Sequence, residues 1–87
     1  MSARRFDAHA DSAARVGARL ADGAYIAWRS AQIECDLALA AWHAAGPGRR
    51  PTARVVYRAA LDREEAAARD LEELTVLAIR MSLPQAA

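Results

Sequence analysis

The 87-residue chain has no lysine, no asparagine and a single cysteine, and it is poor in large apolar residues. Leu, Ile, Val and Phe together supply fewer than a fifth of the positions, although apolar residues total 54%. Alanine, at 24 positions, carries most of that total and is the strongest helix former. The composition therefore excludes a sheet protein and predicts an all-α fold. A core made of alanine is thin at this length, so we expect help from a partner subunit.

The same shortages exclude several classes of protein. One cysteine permits neither an internal disulfide nor a thiolate zinc cluster, which fits a reducing cytoplasm. No apolar run is long enough to span a membrane, and no apolar segment of a secretory signal follows the basic start. A net charge of +1 indicates neither a nucleic acid nor an acidic partner. Arginine without lysine and abundant alanine are typical of GC-rich bacterial genomes, so we expect a bacterial, cytoplasmic protein without membrane contact.

The strongest break in the chain lies at 46–51, where two glycines and two prolines fall within six residues. Such a cluster ends one helix and begins another, and it predicts a turn. Thr52 can cap the following helix with its hydroxyl group, and Pro84 stops that helix. We therefore predict a helix over 52–83.

A weaker break lies at Gly23, because glycine inside a helix costs about 1 kcal/mol relative to alanine. We predict two helices on either side of it, over 3–21 and 24–45. The whole chain, 1–87, is then one all-helical domain: an antiparallel hairpin preceded by an N-terminal helix.

The second predicted helix is apolar on two opposed faces when its residues are placed at 100° intervals. One stripe consists of Ile26, Ser30, Ile33, Leu37, Ala40 and Ala44. The opposite stripe includes Trp28, Cys35, Leu39 and Trp42. A helix that is apolar nearly all round must be covered on more than one side.

The third helix is amphipathic and covers one stripe, so the other needs a second cover. The first helix offers mostly small residues along its apolar line: Phe6, Ala10, Ala13, Gly17 and Leu20. Two tryptophans bury about 400 Å² between them, more than such a line matches. We therefore expect a homodimer, a four-helix bundle of two hairpins with Trp28, Cys35, Leu39 and Trp42 at its interface. A three-helix monomer, or a groove for another protein's helix, is the alternative.

Glu64 interrupts the apolar face of the third helix. A buried carboxylate must be paired or protonated. If the hairpin folds near residue 48, Glu64 lies level with 31–35, and Arg29 and Gln32 are its nearest partners. We interpret it as a polar residue that pairs with Arg29 or reaches solvent at the edge of the bundle. The alternatives are a polar residue that specifies a dimer seam and a carboxylate that binds a ligand or takes part in catalysis.

Four arginines without a neighbouring acid surround the predicted turn: Arg49, Arg50, Arg54 and Arg58. They are the best candidates for binding an anion, since the start of a helix also favours negative charge. A solvated tip that pairs with the acidic end of the third helix in an antiparallel dimer is the plainer interpretation. Nucleic-acid or phosphate binding is therefore the alternative function.

No pattern of residues indicates an enzyme, a cofactor or a metal. His9 and His43 lie 34 positions apart without the Glu-x-x-His pairs of a di-iron bundle. Cys35 shares its face with no basic residue that would lower its pKa. We expect a non-enzymatic protein–protein interaction or assembly module.

Overall fold

A computed structural model describes the backbone of residues 2–83 and the side chains of residues 8–83. It shows two antiparallel helices, α1 (Ser2–Ala44) and α2 (Arg50–Ser82). The molecule measures 71 × 16 × 12 Å, a rod that is two helices wide. The prediction of an all-α helical hairpin is confirmed. Phe6 of the predicted N-terminal apolar line lies outside the side chains that the structure describes.

The predicted division of the first half into helices over 3–21 and 24–45 is wrong. Helix α1 continues through Gly23, which is exposed and would have nothing within 4 Å of an added Cβ. The cost of one glycine, about 1 kcal/mol, is smaller than that of starting a second helix with its unpaired terminal groups. Ala24, directly after it, is buried and helps to hold the helix in place. The N-terminal segment therefore extends α1 and covers neither of its faces.

The turn lies where the sequence predicts it, but α2 begins two residues early. Backbone amides of Arg49 and Arg50 both donate to the carbonyl oxygen of Gly46 at 3.0 Å, which closes the turn. Arg49 occupies the N-cap position without a side-chain hydrogen bond, so the prediction of Thr52 as the cap is wrong. Pro51 falls in the first turn of α2, where its fixed φ suits a helix and its missing N–H is not needed.

The two helices contact each other through small residues seven positions apart. In α1 these are Gly17, Ala24, Ala31 and Ala38, all of them buried. Ala60 of α2 is 1% exposed, the most enclosed residue of the seam. A Cβ added to Gly17 would lie 3.1 Å from the Cα of Ala78, so the backbones approach closely there. A seven-residue repeat of this kind is the spacing of a two-stranded coiled coil.

Candidate interaction surfaces

The stripe predicted to form a subunit interface faces α2 of its own chain. Cys35 is buried with Ala60, and Tyr57 packs against this cluster. The rings of Trp42 and Tyr57 lie 5.7 Å apart at 33°. Leu39 is half-buried beside them. The assignment of this stripe to a second subunit is therefore corrected: α2 occupies it, because the small residues between the tryptophans let α2 approach.

Glu64 lies at the edge of the seam, where its carboxylate accepts a hydrogen bond from Trp28. The Nε1–Oε1 distance is 2.8 Å, and both side chains are half-buried. The predicted pairing of Glu64 with Arg29 or Gln32 is wrong, since Arg29 Nη1 donates instead to Gln32 Oε1 at 2.7 Å. All four residues nevertheless lie in one region of the hairpin, and three of them line the same shallow groove.

The environment of Cys35 disfavours the thiolate form of its side chain. Burial raises the pKa of the Cys35 thiol, and the carboxylates of Glu64 and Asp36 act in the same direction. A thiolate is the reactive form of cysteine, and a raised pKa keeps its population small near neutral pH. Cys35 therefore behaves as a small apolar residue of the seam.

The arginine-rich tip is open to solvent. Arg49, Arg50, Arg54 and Arg58 are all exposed. Across the described residues, the only ion pair within 4.0 Å joins Arg63 to Glu34, at 3.4 Å, so the four tip guanidinium groups have no carboxylate partner there. The tip is thus a compact basic surface at one end of the rod.

The largest change from the sequence-based expectation is on the outer face of α1. Ile26 and Leu37 are each 66% exposed and Ile33 is 53% exposed, on the side of α1 that points away from α2. We name Ile26, Ser30, Ile33, Leu37, Ala40 and Ala44 the outer stripe. The sequence-based prediction placed this stripe against the third helix. The repeat of small residues at 17, 24, 31 and 38 instead identifies the opposite side of α1 as the face that contacts α2.

Comparison with known proteins identifies no relative: no family model, no curated protein and no solved structure matches the chain. Within residues 2–83, neither helix is long and apolar enough to cross a membrane. The described side chains include no group of three His, Cys, Asp or Glu that could hold a metal ion. The candidate surfaces are therefore the outer stripe and the arginine-rich tip.

Proposed function

We propose that the chain is a non-enzymatic assembly module that forms a homodimer through the outer stripe of α1. The observation that carries the proposal is the exposure of Ile26, Ile33 and Leu37 on one helix face. Contiguous apolar residues of this size on a surface mark an interaction site, because water solvates them poorly. A second copy of the chain supplies the same apolar stripe and satisfies both surfaces at once.

The accessible surface of the chain supports a partner of similar size. The hairpin exposes 7102 Å². A compact monomer of 9.4 kDa exposes about 5,000 Å², so this chain has an excess of roughly 2,000 Å². A stable interface of standard size buries about 800 Å² on each partner, which is well within that excess. Among the described side chains of residues 8–83, the buried apolar residues are alanines and a cysteine, and so small a core gains stability from association.

Substitution of the outer stripe tests the proposal. We expect light scattering to give the mass of a dimer for the native chain and the mass of a monomer for Leu37→Glu, since a charge in the interface would be desolvated. Val55→Glu is the matched control, because Val55 is 67% exposed but lies on α2. It should leave the dimer intact. A native chain that remains a monomer at high micromolar concentration would contradict the proposal.

A second candidate function, the binding of nucleic acid or phosphate, is favoured by the exposed tip arginines. A phosphate backbone is held by such groups through charge, with strong salt dependence. Retention of DNA in low salt should be lost in the double variant Arg49→Ala with Arg50→Ala. The control is Arg69→Ala with Arg80→Ala, two exposed arginines elsewhere on α2. Unaltered migration of the native chain with DNA at low salt would exclude this function.

A further inference from the structure

We infer that the second copy of the chain lies antiparallel to the first along the outer stripe, in a register set by one line of charges. This inference rests on the proposed homodimer and specifies its geometry. The line of charges consists of residues spaced by seven along α1 and exposed beside the outer stripe: Asp22, Arg29, Asp36 and His43. Its sign alternates along the helix, from acidic to basic to acidic to imidazole.

The apolar residues permit an antiparallel arrangement with large side chains matched to each other or to a small one. When α1 is paired with its own copy around a two-fold axis between residues 31 and 32, Ile26 lies opposite Leu37 of the partner subunit. In the same register Ile33 lies opposite Ser30 of the partner subunit. Each contact occurs twice, because the two-fold axis makes the interface self-complementary. The stripe is thereby covered over its whole apolar length.

The charges beside the stripe are complementary in this register. Arg29 faces Asp36 of the partner subunit with an axial offset of about 3 Å, which a guanidinium group spans. Asp22 faces His43 of the partner subunit with the same offset, so that the imidazole N–H can donate to the carboxylate. The two-fold axis repeats each pair, so four pairs border the interface. Two are between opposite charges, and two are between a carboxylate and an imidazole. Complementary flanking charges select the orientation of paired helices.

A parallel dimer uses the same charges less well. In a parallel pair, each residue of the line of charges faces the opposite edge of the partner's outer stripe. The residue that it meets there lies five positions further along the chain. Asp22 and Asp36 then face Ala27 and Ala41 of the partner subunit, which carry no charge. Arg29 faces Glu34 of the partner subunit, so the parallel orientation forms two pairs at the edges of the stripe where the antiparallel orientation forms four. The antiparallel orientation is therefore favoured by charge.

The position of α2 gives this dimer an unusual shape. The outer stripe lies on the side of α1 opposite α2, so α1 is sandwiched between α2 and the second copy of α1. The four helices then form a flat row, joined through the outer stripe and not through the face of Trp28 and Trp42. The two arginine-rich tips lie on opposite sides of the two-fold axis, about 50 Å apart along the helix direction at 1.5 Å of rise per residue.

Charge reversal distinguishes the orientation from the dimer itself. Arg29→Asp and Asp36→Arg each place like charges in two pairs of the antiparallel homodimer, and each should weaken it about tenfold. An equimolar mixture of the two variants restores opposite charges in both pairs, so the heterodimer should recover the native affinity. Native mass spectrometry counts homodimers and heterodimers separately. Arg69→Asp and Asp70→Arg, two exposed positions on α2, form the matched control and should change nothing alone or mixed.

The outcomes separate the two proposals. A native dimer whose Arg29→Asp and Asp36→Arg variants do not recover on mixing would overturn the antiparallel register and leave the assembly module standing. A native chain without any dimer would overturn both. Energy transfer between labels on Gly48→Cys, in a Cys35→Ser chain that still dimerises, provides a second measurement. A separation near 50 Å supports the flat antiparallel row, whereas adjacent labels contradict it.

Discussion

The indole N–H of Trp28 donates to the carboxylate of Glu64 across the helix pair, at 2.8 Å. This bond joins Glu64 of α2 to Trp28 of α1. It also explains how a carboxylate is tolerated between apolar neighbours, because a polar group loses little on burial when it is hydrogen-bonded. The pair is thus a half-buried polar contact between α1 and α2, beside the exposed ion pair of Arg63 and Glu34.

A double-mutant cycle on this pair should give a coupling energy of about 1 kcal/mol, the range of a partly exposed hydrogen bond to a charged group. The single variants are Trp28→Phe, which removes the donor, and Glu64→Met, which removes the acceptor at similar length. The free energy of unfolding is measured by urea titration for all four chains at one protein concentration. A coupling energy within experimental error of zero would mean that the bond contributes nothing to stability.

Ala60→Leu should lower the free energy of unfolding by about 1–3 kcal/mol, because the added atoms have no space between the helices. Ala60 is 1% exposed. Its neighbour Ala59 is exposed, and Ala59→Leu should change stability by less than about 0.5 kcal/mol since the two residues have similar helix propensity. Thermal or urea unfolding followed by circular dichroism measures both. Equal effects at the two positions would contradict the close packing of the seam.

The two glycines of α1 should respond differently to alanine. Gly23→Ala should raise the free energy of unfolding by about 0.5–1 kcal/mol, since an added Cβ there meets nothing within 4 Å. At Gly17 the added Cβ would lie 2.9 Å from Met81 Sδ and 3.1 Å from Ala78 Cα, so the helices must separate slightly. The sulfur atom can swing away, but the backbone of Ala78 cannot.

We therefore expect Gly17→Ala to be less stable than Gly23→Ala by about 1 kcal/mol, because the contact with the backbone of Ala78 cancels the gain in helix propensity. Both variants are measured at the same protein concentration, because association contributes to the apparent stability. If the two substitutions stabilise equally, the close approach of α1 and α2 at Gly17 is wrong.

Stability should fall at alkaline pH because of Cys35. Its pKa is raised in the folded chain, chiefly by burial, so the unfolded chain loses the thiol proton first. The free energy of unfolding is then fully retained below the unfolded thiol pKa of about 8.5 and declines as the pH rises through the higher folded value. Urea titrations at a series of pH values should show a steeper decline for the native chain than for Cys35→Ala. Parallel curves would show that the thiol does not titrate differently on folding.

The sequence predicts the helical hairpin because its signals are local. Alanine content favours helix everywhere, and Gly46, Pro47 and Pro51 permit a turn only in one place. The extent of α2 follows within two residues at either end. The predicted break at Gly23 is wrong because glycine costs a helix only about 1 kcal/mol, whereas ending one helix and starting another costs more.

The face that α1 turns to α2 could not be found by looking for large apolar residues. Ile26, Ile33 and Leu37 are large aliphatic residues of that helix and are exposed, yet its buried positions are alanines, a glycine and Cys35. Close approach of two backbones requires small side chains, and it is their repeat that identifies the seam. The partner of Glu64 is likewise not a charged or amide group, because the donor is the indole N–H of Trp28, on the same face as the apolar residues.

The small residues of α1 that contact α2 recur every seven positions, and a periodic contact does not define its own alignment. A slide of α2 by one repeat, about 10 Å, would again set α2 against small residues of α1, which recur at positions 17, 24, 31 and 38. What distinguishes the observed alignment is its few unlike residues, among them Gly17 under Met81, Trp28 with Glu64 and Trp42 on Tyr57. A single polar residue in such a contact is known to fix register at some cost in stability. Without these residues the two helices would still form, but their contact would no longer specify one alignment.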